Sequence, residues 1–158
     1  MEKVFGNHLR LIFGQIVAAI RNLEGTTDIV IDRGELDVRD VAGDLRVEID
    51  RGEHSRIAGV SGSLRLDADR TDVDVDAQSL DRDSRIEVDR GEVELRIREA
   101  QRLTVRTEIS RRGRFHTDLA VQWMSSDPRR SEGHINGGGA ELFLESDRAT
   151  IELRRSRE

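Results

Sequence analysis

The phrase Asp-Arg-Gly-Glu, or a close variant of it, recurs along this chain at short and regular intervals. It begins at Asp32, Asp50, Asp69 and Asp89, which gives steps of 18, 19 and 20 residues. Apolar and polar residues alternate on both sides of the phrase, as in residues 45–49, and this alternation is typical of β-strands. A period of about 18–20 residues built from such strands is typical of stacked β units. The sequence therefore predicts an all-β, single-domain, solenoid-like stack of β repeats.

Glycine residues mark the predicted turns of this stack. Gly34, Gly52 and Gly91 occupy the third position of the recurring phrase, where a type II turn requires a positive φ. Gly43 and Gly62 mark a second turn about halfway around each unit. A further run, Gly137, Gly138 and Gly139, precedes the last alternating segment. We therefore predict glycine turns at two places in each unit and at residues 137–139.

The two ends of the chain depart from the regular pattern. Residues 1–23 form an apolar segment that fits either strands or a capping helix, and residues 24–158 form the predicted β-repeat domain. The polar stretch Ser125–Glu132 is predicted to be a loop. Four charged residues are predicted to protect the exposed edge of a last strand from pairing with another chain: Arg154, Arg155, Arg157 and Glu158.

The composition narrows the function without defining it. Charged residues make up 37% of the chain and hydrophobic residues 35%, which suits a thin structure with much surface. The net charge of −6 and the small number of aromatic residues disfavour nucleic acid as a partner. Without cysteine the chain has neither a disulfide nor a thiolate metal site. The apolar stretch 11–20 is too short to span a membrane, and no export signal is recognised, so the default expectation is a cytoplasmic protein.

Charged residues supply the candidate partner face. The stretch 96–114 carries seven arginines against two acids, and aspartates are concentrated just before it. The aspartates could in principle bind calcium, but the glycine-spaced motif of calcium-binding β-rolls is missing, which favours a solvated face. We expect these residues to contact a protein or an anionic glycan: Asp69, Asp72, Asp74, Asp76, Arg96, Arg98, Arg102 and Arg106.

No catalytic motif is recognised, and the four histidines lack metal-ligand spacing. We therefore expect no catalytic residue, no metal and no cofactor, and a non-enzymatic structural or interaction module. One alternative is a self-associating β-solenoid scaffold. A second, less favoured alternative is a carbohydrate-active enzyme, in which two carboxylates would act as an acid/base pair.

Three motifs together resemble a known family. They are the units of the form apolar-x-apolar-Asp-x-Gly-acid-apolar, the turns Val-Ala-Gly-Asp (41–44) and Val-Ser-Gly-Ser (60–63), and the segment Ile-Asn-Gly-Gly-Gly (135–139) before a last hairpin. From Glu24 to Leu153 the chain resembles the adhesin-domain family of bacterial and archaeal β-repeat proteins, a domain of unknown function. The resemblance implies an adhesive or structural role, and members of the family are often exported or tethered to a membrane. Arg33, Arg51 and Arg90 stand where the family usually has asparagine.

Overall fold

A computed structural model describes residues 8–156, with side chains from residue 19 onward except residue 126. This part of the chain contains nine β-strands and no helix, which confirms the predicted all-β class. The strands are β1 (His8–Arg51), β2 (His54–Ala68), β3 (Asp72–Leu80), β4 (Ser84–Ile97), β5 (Leu103–Ile109), β6 (Arg114–Thr117), β7 (Gln122–Ser126), β8 (Arg130–Ile135) and β9 (Ala140–Arg155).

The strands form one mixed sheet that does not close on itself. Its order is β1-β2-β3-β4-β9-β5-β8-β7, with β6 paired to β9 and an additional pairing between β2 and β4. In the described part of the chain, the antiparallel pairs are β5–β8 and β7–β8, and the other pairs between these strands are parallel. Val47 lies beside Leu66, and Leu66 lies beside Ile86, so side chains from successive segments form rows across the sheet.

The core follows from alternation along the strands. In β2, Leu64 and Leu66 are buried and Arg65 between them is exposed. Branched aliphatic side chains suit such half-buried, pleated strands. The buried apolar residues form one cluster that extends from Ile20 to Leu153. The interior therefore consists mainly of valine, isoleucine and leucine, and the outward rows are free to carry charge.

Two glycines in adjacent strands, Gly43 of β1 and Gly62 of β2, mark the second predicted turn of each unit. Gly43 and Gly62 pair in register and have φ values of 127° and 135°. A Cβ on Gly62 would lie 2.7 Å from the carbonyl carbon of Gly43, closer than real Cβ atoms approach. Glycine is therefore required at residue 62 by both the backbone conformation and the close approach of the adjacent strand.

The glycines of the recurring phrase divide into two kinds. Gly34 and Gly91 have φ values of 145° and 115°, as predicted. Gly52 does not have a positive φ, so the prediction is wrong for that residue. A Cβ on Gly52 would instead collide with the carbonyl oxygen of Gly34. Residue 52 is thus glycine because two strands approach closely, and a type II turn is not the reason.

The glycine run before β9 forms the predicted turn. Gly137 and Gly138 have φ values of 85° and 90°. Gly139 lacks a positive φ, but a Cβ there would lie 2.5 Å from the carbonyl oxygen of Arg102. The run therefore combines two positions of special backbone conformation with one position of close packing.

The last strand lies inside the sheet. β9 pairs with β4 on one side and with β5 and β6 on the other. Arg154 lies beside Arg96, and Arg155 lies beside Ile97. The prediction of a protected, exposed edge is therefore wrong for Arg154 and Arg155, because β9 has partners on both sides; Arg157 and Glu158 lie outside the described residues.

The predicted loop Ser125–Glu132 is shorter than expected. β7 ends at Ser126 and β8 begins at Arg130, so the connection is only residues 127–129. The two strands pair antiparallel, with an irregularity between Trp123 and Ser125. Most of the stretch predicted to be a loop thus belongs to a hairpin at the end of the sheet.

The N-terminal segment is strand wherever the structure describes it. β1 begins at His8 and continues past residue 24 to Arg51, so residues 8–23 adopt the first of the two predicted alternatives. Residues 1–7 of the predicted segment lie outside the described residues.

Candidate functional site

The predicted aspartates lie at one corner and along β3. Asp69 pairs with Arg70 across 4.0 Å at the corner between β2 and β3. On β3 the carboxylate of Asp72 accepts a hydrogen bond from the backbone N–H of Glu92 at 3.0 Å. The side chains of Asp72, Asp74 and Asp76 point outward, because the residues that alternate with them, 73 and 75, are buried.

Asp74 and Asp76 lie next to outward side chains of the neighbouring strands β2 and β4. The imidazole of His54 lies 3.0 Å from the carboxylate of Asp74. Asp76 lies beside Arg96 of β4 in register. Arg96 in turn pairs with Glu94 across 3.0 Å. The charges on this side of the sheet therefore largely engage one another.

Two of the other predicted arginines, Arg98 and Arg102, lie in the connection between β4 and β5. Arg98 follows the end of β4. Arg102 donates a hydrogen bond from Nε to the carbonyl oxygen of Asn136 at 3.1 Å. The Asn136 side chain donates to the carbonyl oxygen of Gln101 at 2.8 Å. Arg102 thus helps to hold the turn before β9, and the eight predicted residues do not form one continuous face.

Arg106 belongs to a row that the sequence analysis did not identify. Strand register places Arg46 of β1 beside Arg65 of β2, and Arg65 beside Arg85 of β4. Phe143 of β9 follows, and Arg106 of β5 lies on its other side. We call these five residues the arginine row. Side chains in adjacent strands of a row are separated by about 4.8 Å, the distance between paired strands.

Phe143 lies between two members of the arginine row, Arg85 and Arg106. The guanidinium carbon of Arg85 lies 4.7 Å from the centre of the Phe143 ring, and that of Arg106 lies 5.9 Å from it. Both distances are within the range of cation–π attraction. The arginine row lines a groove with a volume of about 470 Å³, whose other charged lining residues are Asp44, Asp83 and Glu141.

Carboxylates form a second row beside the first. Register aligns Glu48, Asp67, Glu87, Glu145 and Glu108 across the same five strands. We call this set the acidic row. Partial burial and the neighbouring carboxylates of Glu87 and Glu48 raise the pKa of Asp67. Burial and Glu87 also raise the pKa of Glu145, against the opposing effect of Arg85.

The two rows are joined by unequal contacts. Arg85 pairs with Glu87, and also with Glu145 across 3.2 Å. Arg46 and Glu48 are 3.9 Å apart, beyond ordinary hydrogen-bond distance. The contacts are therefore concentrated around β4 and β9 and are weaker toward β1.

A sequence signal for the arginine row was present. Residues 45–48, 64–67 and 105–108 each contain an arginine between two inward positions, followed by an acid. Aligning the segments by their inward residues would have matched Arg46 with Arg65. The strand order, which brings Arg106 next to Phe143, could not be obtained from this alignment.

Fold and site together define an all-β protein with an open mixed sheet whose outward rows carry charge. Comparisons with protein-family models, with curated proteins and with solved structures found no match. Within residues 8–156 there is no helix with the length and hydropathy needed to cross a membrane. The same residues contain no group of three or more His, Cys, Asp or Glu side chains arranged to hold a metal ion.

Proposed function

We propose that this protein is a β-solenoid-like interaction module that presents charged strand faces to a protein or glycan partner and carries out no reaction of its own. Membership of the adhesin-domain family, which would agree with this role, stays a prediction. The proposal concerns the outward rows, because the inward rows are occupied by the apolar core.

One observation carries the proposal, namely the parallel register that aligns equivalent residues in rows. Val47, Leu66 and Ile86 align on the inward side of the sheet. Arg46, Arg65 and Arg85 align on the outward side. Such rows space the outward side chains of neighbouring strands at about 4.8 Å, the distance between paired strands. A surface of regularly spaced charges suits a partner that is itself extended and regular, and it supports the proposed solenoid-like stacking.

Binding measurements test this function. The immobilised protein is presented with a panel of acidic and neutral polysaccharides, and with any protein partner that is captured, identified and then purified. We expect saturable binding to at least one of them, weakened by salt because exposed charges are screened. Failure of every polysaccharide and every purified partner to bind at low salt would contradict the proposal.

Self-association is the second candidate, and the edge strand β7 favours it. β7 pairs only with β8 in the described part of the chain, so its other edge is open. Its sequence, Gln-Trp-Met-Ser-Ser, contains no charge and no proline. Trp123 is 39% exposed and Met124 is 67% exposed. Natural edge strands usually carry features that prevent pairing, so an uncharged apolar edge is a candidate contact between two copies.

Light scattering after size-exclusion chromatography tests the second candidate. If β7 joins two copies, the dimer should persist at high salt, because the contact is apolar. A protein that remains monomeric at high concentration, at low and at high salt, would exclude this mode of assembly.

A further inference from the structure

Two exposed arginines of β2 have opposite surroundings. Arg56 and Arg65 both point outward from this strand. Arg56 lies in register between Asp37 and Asp74. Arg65 lies between two other arginines of the arginine row, and like charges on adjacent strands are unfavourable. Of this pair, Arg65 is therefore the residue whose charge the fold itself does not explain.

Arg65 also lacks the contacts that its neighbours have. Arg85 is held by Glu87 and Glu145. No hydrogen bond or ion pair joins the side chain of Arg65 to any residue in the described range 8–156. The guanidinium group of Arg65, with five N–H donors, lines the groove described above.

The carboxylates that line the groove are engaged elsewhere. Asp44 pairs with Arg82 across 3.1 Å. Glu141 pairs with Arg106 across 3.3 Å, and Asp83 accepts a hydrogen bond from the backbone N–H of Glu141 at 2.9 Å. These acids are held by other groups, which leaves Arg65 available to an anion from outside the protein.

We propose that the groove along Arg46, Arg65 and Arg85 binds an acidic polysaccharide, with the carboxylates of successive sugars placed on successive arginines. This inference rests on the proposed function and names the ligand class for one face. A guanidinium group matches a carboxylate with two parallel hydrogen bonds. A chain of uronic acids carries one carboxylate on every ring and can lie along a row of strands.

The surroundings favour a polysaccharide over a nucleic acid. Among the side chains that the structure describes, Phe143 is the one aromatic ring that lines the groove, and Arg85 and Arg106 already lie over it. A single-stranded nucleic acid needs several aromatic rings for base stacking and a strongly positive groove. The acidic row beside the groove would repel a nucleic-acid duplex, which carries one negative charge per about 1.7 Å of its axis, more strongly than a polyuronate, which carries one charge per sugar ring.

Polygalacturonate is the probe for this inference, and its methyl ester is the matched control ligand because esterification removes the charge. We expect the protein to bind polygalacturonate, to release it at high salt and to ignore the ester. Arg65→Gln should weaken binding about tenfold, the loss expected for one charge-assisted pair. Arg56→Gln, on the same strand and likewise exposed, should leave the affinity unchanged. Thermal unfolding of both variants establishes that each one is folded.

Three results would overturn the inference. They are equal binding of polygalacturonate and its ester, equal losses in the two variants, and no binding of polygalacturonate by the native chain. In the last case, saturable binding of a neutral glycan or of a purified protein partner would leave the proposed function intact. Failure of the inference and failure of the proposed function are therefore distinguishable.

Discussion

Replacing Gly62 by alanine would place a methyl group where two strands approach most closely. Gly62 has a φ of 135°, and an added Cβ would lie 2.7 Å from the carbonyl carbon of Gly43. The carbonyl oxygen of Gly43 would lie closer still, and Cβ atoms in real structures stay at least 3.0 Å from such atoms, so the two strands must move apart. Because the obstructing atoms are backbone, no side-chain rotation relieves the overlap.

Gly137 provides the matched control for the backbone contribution. Its φ is 85°, but an added Cβ would meet only the end of the Arg102 side chain at 3.6 Å. Gly137→Ala should therefore cost about 1–2 kcal/mol of unfolding free energy, the penalty for a left-handed alanine. Gly62→Ala should cost about 1–3 kcal/mol more, because overpacking is added to that penalty. The reduced entropy of the unfolded chain is common to both variants and cancels in the comparison.

Thermal unfolding followed by circular dichroism measures the difference. For a chain of this size, 1 kcal/mol shifts the Tm by about 2–4 °C, so Gly62→Ala should melt about 2–12 °C below Gly137→Ala. If the two variants melt together, the close approach of Gly43 and Gly62 is not a determinant of stability. If Gly137→Ala is the less stable one, the assignment of the two turns is wrong.

The remaining predictions concern charge and association. Arg65→Gln should raise the unfolding free energy by about 0.2–1 kcal/mol by removing like-charge repulsion, and Arg56→Gln should lower it by a similar amount, as measured by urea denaturation; shifts of the same sign would contradict the register. The pKa values of Asp67 and Glu145 are higher in the folded chain than their ordinary values of 3.8 and 4.5, so the folded state holds these two protons more tightly than the unfolded state does. The contribution of these two groups to the free energy of unfolding should therefore fall as the pH rises above those ordinary values. Asp67→Asn should reduce that fall, and an unchanged pH profile of the urea midpoint would exclude the proposed coupling. Met124→Lys should abolish any dimer seen by light scattering, because a charged edge strand resists pairing, and a dimer that survives the change would place the contact elsewhere.

Local alternation and the recurring phrase were sufficient to predict the strands and much of their register. The sequence step from Asp50 to Asp69 matches the observed pairing of Val47 with Leu66. Because successive side chains of a strand point to opposite faces, the alternation of apolar and polar residues is enough to predict which positions point inward and which point outward. The next step, 20 residues from Asp69 to Asp89, likewise matches the pairing of Leu66 with Ile86 and of Ala68 with Val88.

The position of β9 could not be predicted from the sequence. The apolar residues of β9 alternate as they do in β4 and β5, so the strand pattern does not say which neighbour it will choose. The choice depends on the turn at residues 136–139, where Asn136 donates from its side chain to the carbonyl oxygen of Glu99 at 2.7 Å. This contact ties the start of β9 to the connection between β4 and β5, and β9 enters between those strands.

The arginine row exists because close packing at the glycine turns determines the strand register. The charges alone would favour a different register. A slip of two residues between β1 and β2 would keep every inward side chain inside, since the side-chain period is two. It would place Arg46 beside Asp67, exchanging repulsion for attraction of about 0.2–1 kcal/mol. The same slip would bring Leu64 against Gly43, where the structure has space only for glycine. The steric cost of that overlap is the larger quantity, and the like charges therefore remain aligned along the groove.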